Sequence, residues 1–185
     1  RDYERANRIG LEHSSYTSSE KIQNAILNSG INDLKNDSFD PMFRFYEKDY
    51  DIESDMIAEN IIVPFSDYQV SSFIFNPDKK VYYRFQSDEP HVDEENNEHL
   101  SVKNIIIQDV DMRVIDSEGR RDVDLVGEGR GYLITNGKCQ NIRWKKDSHF
   151  SPTEWYDEYG EMLAINRGKT WICVFQNIDN VMVSK

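Results

Sequence analysis

The sequence predicts an α+β protein that is mostly β, with one N-terminal helix followed by an antiparallel sandwich or barrel-like sheet. Three observations carry this. A single capped, helix-periodic segment lies near the start. Many short β-branched or aromatic runs follow it at regular spacing, and Gly, Asn, Asp and Pro clusters separate them. With 185 residues, 38% of them hydrophobic, the chain can bury a core without disulfide staples.

The helix signal is Thr17-Ser18-Ser19-Glu20, a capping-box pattern with Thr17 as N-cap. Ile22, Ala25 and Ile26 continue at helical spacing, and Gly30 supplies the stop. From Pro41 onward the pattern is β. Phe43 and Phe45 alternate with polar residues, residues 57–65 read as a strand, and residues 68–75 alternate. Asn76-Pro77-Asp78-Lys79 is a turn by composition, after which residues 81–85 return as the partner strand. Residues 104–115 form a long β-branched run, apolar enough on both faces to be central. Asp116-Ser117-Glu118-Gly119 turns the chain into strands at 122–126 and 131–135. Asn136-Gly137 predicts a tight hairpin with residues 140–144, because its two central positions need positive φ. Residues 153–156, 162–165 and 170–175 complete the set, with Gly160 and Gly168 between them. A domain boundary is expected in the stretch 39–54. It is placed so that residues 1–45 hold the helix and residues 46–185 the β-rich part.

The formal net charge is −12, which repels phosphate backbones and argues against nucleic-acid binding. The dense acidic tract at 88–98 reads as a solvated loop. Cys139 and Cys173 read as two separate core residues, and no zinc-type spacing or cofactor motif is present. No segment approaches the roughly 20 apolar residues of a membrane span. The chain begins at Arg1 without a methionine and is expected to be a fragment or processed product. Gly127-Glu128-Gly129-Arg130-Gly131 lacks the following helix of a dinucleotide loop, so a glycine-rich bulge or tight turn is expected there. Trp144, Trp155 and Trp171 offer a sugar-stacking face or core packing; the second is expected for Trp171.

The best cluster of chemistry-bearing residues is Val81-Tyr82-Tyr83-Arg84-Phe85, then Pro90-His91-Val92-Asp93, then Asn104. Strand alternation puts Tyr82, Arg84 and Gln86 on one face. Arg84 has the fork geometry for a carboxylate or phosphate. Asp93, two residues from His91, is placed to fix its tautomer. Two readings stay open. In one, Arg84 pairs with Asp93 as a structural knot and His91 caps a loop; in the other the group faces a ligand. A metal would need a third ligand such as His13 or His99, and nothing in the spacing brings one in.

The string of motifs resembles the YerB-like lipoproteins of Gram-positive bacteria, a two-part family of unknown function (DUF3048). Tyr83-Arg84, His91-x-Asp93, Asn104-Ile105-Ile106 and Leu125-Val126-Gly127-x-Gly129 carry the resemblance to its C-terminal domain. So do Asn136-Gly137-Lys138, Trp144-Lys145 and Gly168-Lys169-Thr170-Trp171-Ile172. His13-Ser14-Ser15-Tyr16-Thr17-Ser18 resembles the end of the first domain, departing from the usual motif at Glu12, Ser14 and Ser15. The resemblance implies an extracytoplasmic protein, attached to the membrane in its intact form through a lipid on a preceding cysteine. It implies no reaction. The sequence therefore leads to an envelope module that binds an envelope component or a protein partner. Arg84, His91, Asp93, Asn104, His13 and Tyr16 are its expected ligand-facing residues. The alternatives are a hydrolase of cell-wall glycan or peptide, using His91 as acid/base, Asp93 as orienter and Arg84 as anion holder, and a purely structural interaction domain.

Overall fold

The computed structural model describes Asn7, Gly10, residues 17–30 and residues 41–185. The chain divides into two compact units, Arg1–Asp40 and Pro41–Lys185. Helix α1 (Ser19–Asn28) belongs to the first. Its N-cap is Ser18 rather than the expected Thr17. Ser18 is extended, at φ −132°, and its hydroxyl accepts from the Lys21 amide at 3.2 Å, satisfying one of the helix's free donors.

The second unit runs β1 (Arg44–Phe45), β2 (Asn60–Pro64), β3 (Val70–Asn76), β4 (Val81–Gln86), β5 (Glu89–Pro90) and β6 (Ser101–Val102). It continues with β7 (Asn104–Asp109), β8 (Met112–Val114), β9 (Arg121–Val123), β10 (Gly127–Thr135) and β11 (Lys138–Lys146). Then come β12 (Glu154–Asp157), β13 (Ala164–Ile165), β14 (Thr170–Phe175) and β15 (Met182–Ser184). Five strands form one sheet in the order β12-β11-β10-β7-β14. The second sheet runs β15-β2-β3-β4-β5, with β6 also on β4. Most ladders are antiparallel. β14 on β7 and β1 on β13 are parallel, a feature the local pattern does not reveal. A parallel neighbour needs a long crossover, and residues 110–169 between β7 and β14 provide it. Because Arg44 and Phe45 pair with Ala164 and Ile165, β1 falls in the larger unit, ahead of the expected 45/46 boundary.

The two sheets pack face to face. Ile61, Val63, Phe73 and Tyr82 from one meet Ile105, Ile107, Ile134, Cys173 and Phe175 from the other. On the opposite face of the five-stranded sheet, Ile106, Leu133, Ile142, Trp144, Trp155, Leu163 and Ile165 form a second core. The β7 isoleucines thus alternate between two cores and are all fully buried. The expected long run ends at Asp109, and β8 leaves the sheet to pair with β9.

The Gly127–Gly131 segment is neither turn nor bulge; it lies in register within β10. A Cβ on Gly131 would stand 2.6 Å from the Ile107 carbonyl oxygen, so close strand approach is what needs glycine there. The Asn136-Gly137 turn forms as expected, with φ of 50° and 78°. Beneath it the Tyr82 hydroxyl joins the layers. It donates to the Ala58 carbonyl at 3.0 Å and accepts from the Gly137 amide at 2.8 Å. Tyr82→Phe leaves both buried backbone groups unpartnered. It is expected to cost about 1–3 kcal/mol, read by thermal or urea unfolding, whereas an unchanged midpoint would mean the hydroxyl is not the interlayer tie.

Candidate functional site

The site grows from β4. Alternation turns Tyr82 and Arg84 inward, toward the other sheet. Tyr82 is apolar enough to fill the core. Arg84, one pair further on, is only 6% exposed and carries a guanidinium into the margin between the layers. The Trp171 ring on β14 lies beneath it, with the guanidinium carbon 4.3 Å from the ring centroid. Such a stack is worth about 2 kcal/mol when desolvated. In the plane of the guanidinium, Nη2 donates to Ser71 Oγ on β3 at 2.7 Å. Nη1 donates to Gln86 Oε1 at 3.3 Å and to His91 Nδ1. Nε is buried and has no partner.

No carboxylate pairs with Arg84 among the described residues. That is unusual for a buried cation, because the desolvation of a charge is normally offset by a counter-ion. Burial presses the Arg84 pKa down from its ordinary value. The groups around it are instead neutral acceptors and an aromatic face.

His91 is set by the hairpin that follows β4. Its amide donates to the Arg84 carbonyl at 3.0 Å, the Leu100 amide donates to the His91 carbonyl at 2.8 Å, and the Arg84 amide donates to the Leu100 carbonyl at 2.9 Å. A guanidinium can only donate, so His91 Nδ1 must be a bare acceptor and the ring the neutral Nε2–H tautomer. Burial, then the Arg84 charge, then His99 lower the His91 pKa. His99 closes the other side of the strand: its Nε2 donates to the Arg84 carbonyl at 2.7 Å, and Tyr83 and Phe85 hold the ring at 4.9 and 4.8 Å between centroids.

The remaining expected residues separate. Asp93 neither pairs with Arg84 nor orients His91. Its Oδ1 accepts from the Glu95 amide at 2.9 Å and the Asn96 amide at 3.4 Å, so it builds the acidic loop. Its position two after His91 was misleading because the hairpin turns at that point. Asn104 is fully buried, and its amide donates to the Asn166 carbonyl at 2.8 Å and to Thr170 Oγ1 at 3.2 Å. The Asn166 side chain in turn accepts from the Tyr50 amide and donates to the Tyr50 carbonyl, both at 2.8 Å, pinning that segment as a strand would. Asn104 is therefore part of a structural knot. His13 and Tyr16 lie outside the described residues. Trp144 and Trp155 are buried in the second core. Both cysteines are free thiols, and burial pushes each up to about 12.

Ser71, Gln86 and Trp171 complete the cluster without having been expected in it, and His99, considered above only as a third metal ligand, joins it through the Arg84 carbonyl. Gln86 was accessible to reasoning, since it shares a face with Arg84. Ser71 and Trp171 come from strands whose pairing only the fold reveals. Hollows of about 320 and 310 Å³ lie apart from this cluster, lined by Arg130 and Arg143 with Trp144 and Tyr156 in one and Tyr132 in the other.

Residues 61–172, which include β4, the hairpin and the first three residues of β14 with Trp171, match the C-terminal domain of a protein family of unknown function, DUF3048. The chain belongs to this family. It is 29% identical over 177 residues to "Putative lipoprotein YerB" of Bacillus subtilis, covering 94% of this chain and 51% of that protein. It thus spans about half the length of that relative. The crystal structure of YerB from Bacillus subtilis superposes with a TM-score of 0.75 at 25% identity, covering 97% of this chain and 58% of the solved one. The residues matched to the family's C-terminal domain lie within the two-layer sheet unit and include Arg84 and His91.

The His91 environment predicts a pH dependence. Its folded pKa lies below its unfolded value of about 6.5, so the unfolded chain binds the proton first. The contribution of neutral His91 is full above about 6.5 and is lost as the pH falls below it. Wild type should lose more thermal stability between pH 7.5 and 5.5 than His91→Gln, which keeps an acceptor for Arg84 but cannot titrate; equal losses would contradict the assignment.

Proposed function

We propose that the chain is a binding module of the cell envelope, extracytoplasmic and lipid-anchored when intact, that recognises an anionic ligand or partner at Arg84. The location rests on the lipoprotein relative, which shares the fold and about half of its length with this chain. The observation that carries the binding reading is the buried guanidinium. It is desolvated, stacked on Trp171, free of any carboxylate partner among the described residues, and left with an unused Nε–H. A ligand carboxylate or phosphate would supply the missing counter-charge, and a desolvated fork binds such groups far more strongly than an exposed one.

The hydrolase reading has less support. A general base needs an orienting acceptor, and the neighbour of His91 Nδ1 is a donor, Arg84. Asp93, the intended orienter, is hydrogen-bonded to loop amides.

Arg84→Met separates a ligand-facing arginine from a structural one. Replacing a buried charge that has no counter-ion by an apolar side chain of similar length is often neutral or stabilising. Folding stability is therefore expected to stay within about 1 kcal/mol of wild type, while retention on isolated anionic cell-wall material falls at least about ten-fold. Arg84→Lys, which keeps the charge and loses the fork, should bind at an intermediate level. Retention by folded Arg84→Met equal to wild type contradicts the proposal.

A further inference from the structure

We propose that Arg84 and His91 together form a site for a phosphodiester, and that His91 takes up a proton as the anion binds. This rests on the reading of Arg84 as the ligand-facing group. In the free protein Arg84 Nη1 donates to His91 Nδ1, so the edge of the guanidinium is closed by a neutral acceptor. An anion arriving at that edge replaces the acceptor. Once Nδ1 loses its donor, protonation turns the imidazole from acceptor to donor, and two cationic groups then face one anion. Without the anion this state is unfavourable, because imidazolium would sit against a buried guanidinium.

The surrounding elements support this assignment. The charged or titratable groups facing His91 are Arg84 from β4 and His99 from the far limb of its own hairpin. β14 contributes the uncharged Trp171 ring, 6.2 Å from the His91 ring and edge-on to it. β3 contributes Ser71 and the end of β4 contributes Gln86, both neutral and both on the guanidinium. Asp93 is tied into the loop, so it does not supply the counter-charge that would hold imidazolium in the free protein. None of the described groups around His91 supplies that counter-charge, so an added anion is the source assigned to it.

The class of anion follows from the donors. Guanidinium edge and imidazole approach from two side chains rather than as one planar fork, and Trp171 blocks one guanidinium face. A tetrahedral oxyanion accepts from donors that do not share a plane, whereas a planar carboxylate matches a single fork. A phosphodiester also carries one fixed charge across the pH range in which histidine titrates, so the proton taken up belongs to the protein. Such a group occurs both in phospholipid headgroups and in soluble or polymeric glycerol phosphates.

The test is an NMR titration of the full chain with glycerophosphoglycerol at pH 7.5, 6.5 and 5.5, reading both the dissociation constant and the His91 ring resonances. A second arm uses phosphatidylglycerol vesicles, and a third uses acetate. Affinity for the phosphodiester is expected to rise as the pH falls, by up to about ten-fold per pH unit. The His91 titration midpoint should move up at saturation, and acetate should bind more weakly. His91→Gln should bind with no pH dependence. Tighter binding to vesicles than to the soluble diester assigns the headgroup as the source, and the reverse assigns a soluble or polymeric one. A pH-independent dissociation constant with an unmoved His91 midpoint overturns the proton linkage while leaving Arg84 as an anion site. Equal affinity for acetate overturns the phosphodiester class. Undiminished binding by Arg84→Met overturns the underlying reading as well.

Discussion

Burial of β7 on both faces is the constraint on which the rest of the β unit depends. Asn104–Asp109 has β10 on one side and β14 on the other, and its isoleucines alternate between two cores. Full burial of such a side chain contributes about 1.5–3 kcal/mol. Three in succession leave the strand no register that would expose one face without losing several of them. The parallel partner β14 is fixed by that strand, and with it Trp171. The place where Arg84 can stack is thus decided on the opposite sheet from the one that carries Arg84.

The same layering explains why the arginine is tolerated. Arg84 sits where the interlayer core gives way to its margin, one inward position beyond Tyr82. Tyr82 satisfies its hydroxyl with two backbone groups and stays part of the core. Among the described residues the hydrogen-bonding and stacking partners of Arg84 are neutral: an indole face, a serine, a glutamine and a neutral histidine. A fully apolar residue would fill that space at no desolvation cost. On the proposed reading, a ligand of opposite charge accounts for a charge at that place, and this links packing to the proposed function.

Much of the fold was legible because it rests on period-two patterns and turn chemistry. The central strand within the run 104–115, the hairpin at Asn136-Gly137 and the strand 170–175 could each be read locally. What could not be read was set by distant partners. Thr17 and Ser18 are equally good caps by composition, and only the backbone entry chooses Ser18. Gly129 and Gly131 look like turn residues, yet they mark close approach to Trp144 and to β7. Within the candidate site, Arg84 and His91 come together, whereas Asp93 and Asn104 do not join them. A two-residue spacing predicts a shared role only while the strand continues, and Asp93 stands where the hairpin turns, its carboxylate accepting from the loop amides of Glu95 and Asn96. Asn104 is a buried polar residue in the centre of a sheet. The sequence marks it as polar, but only the fold supplies its partners Asn166 and Thr170.

Arg84 is a buried donor with no carboxylate partner among the described residues, and neutral His91 closes its edge. The decisive measurement of this arrangement is the ¹⁵N imidazole resonances of His91 in the ligand-free chain at pH 7.5. The ring is expected to be neutral and protonated at Nε2, with Nδ1 at an acceptor position that shifts when Arg84 is replaced by Met. An imidazolium, or an Nδ1–H tautomer indifferent to Arg84→Met, would contradict it.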